Sequence, residues 1–173
     1  SLLELEKDIR LLVVGKRGET AHQASGHLGS NLERVVRELH RPILMVPKTF
    51  KRPEKILMAF DGSKTARKGV EMLARSPLFA GTECHVLIVG AETAERRSEL
   101  EWALSTLREA GHQAEGAIRA GEVDEALQAY EKEHSIDLLV MGAYGHSRIR
   151  HLLVGSTTTA MLRGSRIPVL ILR

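Results

Sequence analysis

Glycine and hydroxyl residues near the end of the sequence form a pattern suited to binding phosphate groups. Gly142 and Gly145 follow an apolar run, and nine residues separate Gly145 from Gly155. Ser156 and Thr157 come next. Glycine permits sharp turns and a close approach of the backbone to a ligand. A helix that begins after Gly155 would direct unpaired N–H groups at an anion, so the spacing predicts a polyphosphate site.

Basic side chains in the nine-residue segment would surround such a ligand. They are His146, Arg148, Arg150 and His151. Charged donors of this kind strengthen hydrogen bonds to phosphate oxygens. Each feature also has an ordinary interpretation, with the glycines in turns, Ser156 as a helix cap and the arginines in a solvated loop. We favour the phosphate site because the features occur together.

Other kinds of site find little support in the residue pattern. The sequence has eight histidines, but no two lie four residues apart on a predicted helix. We therefore predict no protein metal site, and we expect any Mg²⁺ to arrive with a triphosphate. The Gly-Lys-Ser/Thr end of a P-loop and the Gly-x-Ser-x-Gly elbow of hydrolases are both absent. Cys84 begins an apolar run and is predicted to lie in the core, where it would not act as a nucleophile. Because these motifs are absent and Cys84 is assigned to the core, no catalytic residue is predicted.

Composition narrows the classes of partner. Aromatic residues make up 3% of the sequence, too few for the stacking platforms that single-stranded nucleic acid needs. The net charge is +3, and basic and acidic residues are interleaved, so we predict no nucleic acid partner. No apolar run approaches the ~20 residues of a membrane span. The single cysteine is typical of a cytoplasmic protein, and the start at Ser1 suggests a truncated N-terminus.

The elements that would position these residues alternate between strand and helix. Apolar runs predict strands at residues 55–60, 84–89, 113–119, 137–141 and 168–172. Helices are predicted from Ser63 to just before Pro77, at about 95–110 and 122–134, and after Gly155. The helix predicted at 122–134 is expected to direct four side chains into the core: Val123, Ala126, Leu127 and Tyr130. This alternation predicts an α/β fold with a five-stranded parallel sheet and helices on both faces.

An internal repeat divides the chain into two unequal parts. Residues 8–18 are similar to residues 135–145, Gly29-Ser30 matches Gly155-Ser156, and residues 41–46 match residues 166–171. We predict an incomplete unit at residues 1–48, a linker at 49–52 and a complete unit at 53–173. In the first copy ten residues lie between Gly18 and Gly29, one more than between Gly145 and Gly155. A capping box also begins at Ser30, so we predict a structural role for this copy.

The apolar strand at the end of the sequence raises the question of what covers it. Val169–Leu172 would leave a bare sheet edge if it lay outermost. Two segments could pair with it: its equivalent Ile43–Val46 in the same chain, or the same strand of a second chain. The sequence leaves both open.

These patterns together resemble the universal stress protein family. The resemblance rests on a strand followed by Gly-x-x-Gly, nine residues and Gly-Ser, and on a first strand that ends in Asp61-Gly62-Ser63. It implies tandem domains of the adenine nucleotide alpha-hydrolase type, ATP binding and dimer pairing through the final strand. The phosphate and ribose contacts implied are Met141, Gly142, Gly145, Gly155, Ser156 and Thr157, with His146 and Arg148 nearby. The adenine contacts implied are Asp61 and the backbone of Ala59 and Val89; Asp61 has an equal alternative as a turn or capping residue.

The sequence thus predicts a cytoplasmic, ATP-binding regulatory protein that acts in the stress response. Its expected partners are an adenine nucleotide and a second copy or an intrachain pseudo-dimer, with no nucleic acid and no membrane. Two alternatives remain: a dimerisation scaffold without nucleotide, and an enzyme that transfers phosphate or adenylate. No general base is evident, so any ATP hydrolysis is expected to be slow.

Overall fold

The structure is a computed structural model that describes residues 6–16, 34–35, 38–143, 161 and 163–173. These residues form a seven-stranded sheet. Its strands are β1 (Leu12–Gly15), β2 (Ile43–Val46), β3 (Lys55–Ala59), β4 (Glu83–Val89), β5 (Gln113–Arg119), β6 (Leu138–Gly142) and β7 (Val169–Leu172). Three α-helices connect strands of the sheet: α1 (Lys64–Arg75), α2 (Ala94–Glu109) and α3 (Val123–His134). Two short 3₁₀ helices lie at Glu6–Asp8 and Pro77–Phe79.

The order of strands across the sheet is β1-β2-β7-β6-β3-β4-β5. All neighbours are parallel except β2 and β7, which pair antiparallel with Leu44 opposite Leu170. The α/β fold and the five predicted strands are confirmed, but a five-stranded sheet is wrong. The described sheet has seven strands because β1 and β2 add to it beside β7.

Side chains of the strands alternate between the two faces of the sheet, as the pleat requires. On one face Ile56 and Met58 pack with Val70 of α1 and Leu104 of α2. On the other face Leu57, Leu87 and Leu139 pack with residues of α3, among them Leu127. The near-continuous apolar strands therefore follow from burial on both faces, which parallel strands with helical crossovers require.

Local residues set the ends of the helices where the sequence places them. The Ser63 hydroxyl accepts a hydrogen bond from the Ala66 N–H, and Thr93 does the same for Arg96. Gly111 has φ +92°, a left-handed conformation that glycine adopts without strain. Ser135 adopts the left-handed conformation after α3. Hydroxyl side chains thus cap the starts of α1 and α2, and left-handed residues follow the ends of α2 and α3.

Two core predictions have different outcomes. Cys84 is buried as expected, and burial raises the pKa of its thiol to about 11, so it is an unreactive thiol at neutral pH. Leu127 and Tyr130 are buried on α3 as predicted, but Val123 is 39% exposed. Val123 is the first residue of α3, before the helix lies over the sheet, so its apolar side chain does not reach the core.

Within the described ranges, no helix combines the length and apolar surface that crossing a membrane requires.

Candidate functional site

The carboxyl ends of β3, β4 and β6 lie side by side in the sheet. β3 has β4 on one side and β6 on the other, so the direction of the crossovers reverses between β3 and β6. At such a switch point the loops diverge to opposite faces and leave a crevice beyond the strand ends. The α/β sheet therefore offers its natural ligand position beyond Ala59 and Gly142.

Ala59, the last residue of β3, and Met141, the residue before the last in β6, turn their side chains to the same face. Met141 is 5% exposed and belongs to the core on the α3 face, against which Ala59 also packs. Met141 pairs with Ile171 of β7, and Ala59 pairs with Leu87 of β4. Because these side chains face the core, their backbone atoms are what they can offer a ligand.

Asp61 lies in the turn that follows β3. One of its carboxylate oxygens, Oδ1, accepts a hydrogen bond of 3.0 Å from the Ser63 N–H. The Ser63 hydroxyl in turn accepts from the Ala66 N–H at 3.1 Å. Asp61 thus has the geometry of a turn residue ahead of a capped helix, and it is half-buried at the carboxyl end of the sheet.

Val89 and Gly142 complete the set of predicted residues that the structure describes. Val89 ends β4 opposite Arg119 of β5, and Gly142 ends β6 opposite Leu172 of β7. The Ala143 N–H donates to the Leu172 carbonyl at 3.0 Å, so β6 keeps its sheet geometry one residue past its end. The fold brings five predicted residues to adjacent strand ends: Ala59, Asp61, Val89, Met141 and Gly142. The other six lie outside the described residues: Gly145, His146, Arg148, Gly155, Ser156 and Thr157.

Charged side chains from α2 support the two loops after β3 and β4. Gly62 has φ +74°, and a Cβ atom built there would meet the Glu99 carboxylate. Gly90 has φ +147°, and a Cβ atom there would lie 2.7 Å from Cζ of Arg96. Arg96 also donates to the Ala91 carbonyl at 2.6 Å. Both positions therefore favour glycine because of their positive φ, and a side chain at either position would also have to displace the charged group beside it.

Arg67 joins the first of these loops to a pair of aromatic rings. Its Nε donates to the Gly62 carbonyl at 3.4 Å, and its Nη2 lies 3.5 Å from Oε1 of Glu99. Its guanidinium lies 4.6 Å from the ring centre of Trp102 and 6.0 Å from that of Phe60. Stacking of this kind adds attraction between cation and ring. Trp102 is half-buried, and the sequence gave no sign of its contact with Arg67, because the two lie on different helices.

Comparison with known proteins gives the family. Residues 85–173 match the universal stress protein family. A universal stress protein of Synechocystis sp. is 43% identical over 174 residues, which cover 99% of this chain and 61% of that relative. The chain thus spans less than two thirds of the length of this relative.

Solved structures share the fold. A universal stress protein from Archaeoglobus fulgidus has a TM-score of 0.76 and 23% identity, with 98% of this chain and 63% of that chain covered. A universal stress protein solved in complex with cAMP has a TM-score of 0.59 and 24% identity, with 71% of this chain and 98% of that chain covered. The match over residues 85–173, more than half of the sequence, shows that the chain belongs to the universal stress protein family.

Proposed function

We propose that this universal stress protein is a regulatory module that binds an adenine nucleotide, ATP with or without Mg²⁺, at the carboxyl ends of β3, β4 and β6. One observation carries the proposal. Ala59, Asp61, Val89, Met141 and Gly142 come from three separate segments of the sequence and lie at or next to the carboxyl ends of adjacent strands, at the switch point of the sheet.

Each part of the site has a chemical role in the proposal. The Asp61 carboxylate accepts from an adenine amino group or a ribose hydroxyl, and the backbone at Ala59 and Val89 lines the adenine side. Gly142 begins the segment that binds the phosphates. The residues assigned to the phosphates from the sequence pattern alone are Gly145, His146, Arg148, Gly155, Ser156 and Thr157. The cAMP complex of a relative with the same fold supports an adenine nucleotide as the ligand.

In this proposal ATP changes the protein's contacts and is not rapidly consumed. Asp61 is the described carboxylate in the site, and its Oδ1 is engaged by the Ser63 N–H, so it is poorly placed to activate water. We propose that occupancy orders residues 145–155 and so alters the contacts of the protein with a dimer partner or another protein.

The proposal includes an assignment of units. Residues 1–48 would be the end of a first stress domain, residues 49–52 a linker and residues 53–173 a complete domain of a cytoplasmic protein. The antiparallel pairing of β2 with β7 supports an intrachain pseudo-dimer, since it joins equivalent segments of the two copies. A homodimer remains a second proposal for the full-length protein.

Calorimetric titration with ATP tests the site. The Gly155→Val, Ser156→Ala double variant should lose binding, because it blocks close backbone approach and removes a hydroxyl donor. Asp61→Asn keeps an oxygen for the Ser63 N–H and removes the charge, so it should weaken binding roughly tenfold without a change in thermal stability. The exposed residue Ser105 on α2 supplies the control Ser105→Ala. Unchanged affinity in both site variants would contradict the proposal.

Mass spectrometry of the purified protein separates the alternatives. Released ATP or AMP supports the regulatory module, and no nucleotide supports the scaffold. A covalently adenylylated or phosphorylated side chain supports the transferase.

A further inference from the structure

Three metal-ligating side chains from different elements meet on the sheet face that α3 covers. His85 of β4, Glu115 of β5 and His134 of α3 each place one ligand atom so that all three atoms lie within 4.8 Å of one another. His85 Nδ1 lies 3.2 Å from Oε1 of Glu115, and His134 Nδ1 lies 3.5 Å from the same oxygen. His85 and Glu115 are the third residues of their strands, so this cluster lies toward the amino ends, away from the proposed nucleotide site.

Glu83 fixes how the His85 ring is used. The His85 side chain is 1% exposed, and its Nε2 lies 2.8 Å from Oε1 of Glu83. A carboxylate accepts there, and a proton donated from Nε2 to Glu83 leaves the lone pair of Nδ1 for a metal ion beside Glu115. This is the arrangement by which a carboxylate orients a metal-ligating histidine in known metal sites.

Tyr130 contacts both histidines of the cluster. Its hydroxyl lies 2.9 Å from His85 Nδ1. A metal ion bound at Nδ1 would replace that hydrogen bond. Tyr130 also stacks on the His134 ring with 4.0 Å between ring centres, which restricts the orientation of that ring.

The spacing of the ligand atoms is suitable for one small cation. His85 Nδ1 and Glu115 Oε1 lie 3.2 Å apart, so a single ion could contact both. Neighbouring ligands of a tetrahedral zinc ion, with bonds of about 2.0–2.1 Å, lie roughly 3.3 Å apart. The two distances from Oε1, 3.2 and 3.5 Å, match that spacing.

The surrounding charge is suitable for a divalent cation. Glu83 and Glu115 lie beside the histidines, while the Arg119 guanidinium lies over the Tyr130 ring at 4.7 Å. Arg119 is paired with Glu133 at 2.6 Å. The side chains of Glu115 and His134 are 59% and 32% exposed, so an ion has access from solvent.

We propose that His85 Nδ1, a Glu115 carboxylate oxygen and His134 Nδ1 bind a divalent transition metal of the zinc type, with solvent in a fourth position. Glu83 holds the His85 ring in the orientation that the metal needs. Two histidines, one carboxylate and an open position form a donor set that Zn²⁺ accepts. The prediction of no metal site rested on the absence of two histidines four residues apart on a predicted helix. The ligands instead come from two strands and a helix, which only the strand register brings together.

Titration of the metal-stripped chain with ZnCl₂ by calorimetry tests the site. We expect saturable binding of one ion per chain, and visible absorption typical of tetrahedral geometry when Co²⁺ replaces Zn²⁺. Glu115→Gln and His134→Asn should each weaken Zn²⁺ binding by more than about tenfold, since each removes a ligand. Circular dichroism checks that both variants fold.

Matched controls separate the cluster from other histidines and from local disturbance. His40→Gln removes an exposed histidine elsewhere, and Tyr130→Phe removes a neighbour of the site but no ligand; both should keep Zn²⁺ binding. The absence of saturable binding to the folded wild-type chain would overturn the proposal. Equal Zn²⁺ affinity in Glu115→Gln, His134→Asn and the wild-type chain would overturn it as well. The test does not depend on ATP, whose affinity should be the same in Glu115→Gln and the wild-type chain.

Discussion

Asp61 lies where a turn residue and a ligand contact would both be placed. Its role in the turn follows from two residues of sequence, because an aspartate commonly accepts from the N–H two positions later. Such short-range features were predictable, as were the cap Ser63 and the burial of Cys84. The contacts of Arg67 with Trp102 and of His85 with Glu115 were not, since they join residues that are 35 and 30 positions apart in the sequence.

Glu131 makes the stability of the protein depend on pH in an unusual direction. Burial raises the pKa of its carboxyl to about 7 from the model-compound value of 4.5, and its Oε1 has no hydrogen-bond partner among the described residues. The folded state thus holds this proton more tightly than the unfolded state. The stabilising contribution is full below pH 4.5 and is lost as the pH rises through about 7.

Replacement of Glu131 by glutamine should therefore stabilise the protein at alkaline pH. We expect Glu131→Gln to unfold with a higher free energy than the wild type at pH 8, by up to about 3 kcal/mol, and with a similar one near pH 4. Solvent reaches part of the side chain, so this figure is an upper bound. Urea unfolding at several pH values measures it, with Glu125→Gln in the first turn of α3 as an exposed control. An equal gain at all pH values would contradict the titration of Glu131.

At the scale of elements, the close packing of α2 on the edge of the sheet depends on a glycine. Gly116 in β5 lies opposite Val86 of β4. A Cβ atom at Gly116 would lie 2.6 Å from the Val86 carbonyl oxygen and 2.7 Å from Cδ1 of Leu100 on α2. The low apolar content of β5 follows from its position at the sheet edge under a closely packed helix.

Gly116→Ala should consequently destabilise the protein. The added methyl group meets backbone that cannot move aside without a shift of β4 or β5, so we expect a loss of about 1–3 kcal/mol. The loss should appear as a lower midpoint in chemical unfolding, together with faster hydrogen exchange in β5. Ala117→Ser, at the next position of the same strand, is the control. A Gly116→Ala variant as stable as the wild type would show that α2 is not held against this strand.

At the scale of the molecule, the pairing of β2 with β7 covers the edge that β7 would otherwise expose. The Leu12 and Lys16 N–H groups donate to the carbonyls of Pro42, just before β2, and Val46, its last residue, so these carbonyls face β1. By the alternation of a strand, Ile43 and Met45 direct their N–H and C=O groups at β7. The apolar strand Val169–Leu172 was predicted from the sequence, but its neighbour was not, since two equivalent segments were available.

Breaking that pairing should expose β7 to a second chain. Met45→Pro removes an N–H that faces β7, whereas Met45→Ala loses a similar amount of packing but keeps that N–H. We expect Met45→Pro to dimerise at concentrations where Met45→Ala does not, because the freed edge of β7 is a template for pairing. Sedimentation velocity measures the difference. Identical association of the two variants would indicate that backbone pairing with β2 does not protect the edge.

Because β2 and β7 are antiparallel, the strands on the two sides of this pair have their carboxyl ends at opposite rims of the sheet. β6 and β7 run one way and β1 and β2 the other, so the strand end at Gly15 emerges on the rim where β7 begins. The Lys16 ammonium marks this, since it donates to the Ser165 carbonyl just before β7 at 2.7 Å. The nucleotide proposed beyond Gly142 would thus lie at the rim opposite the Lys16–Ser165 contact. A partner that docks at that contact would not compete sterically with the nucleotide.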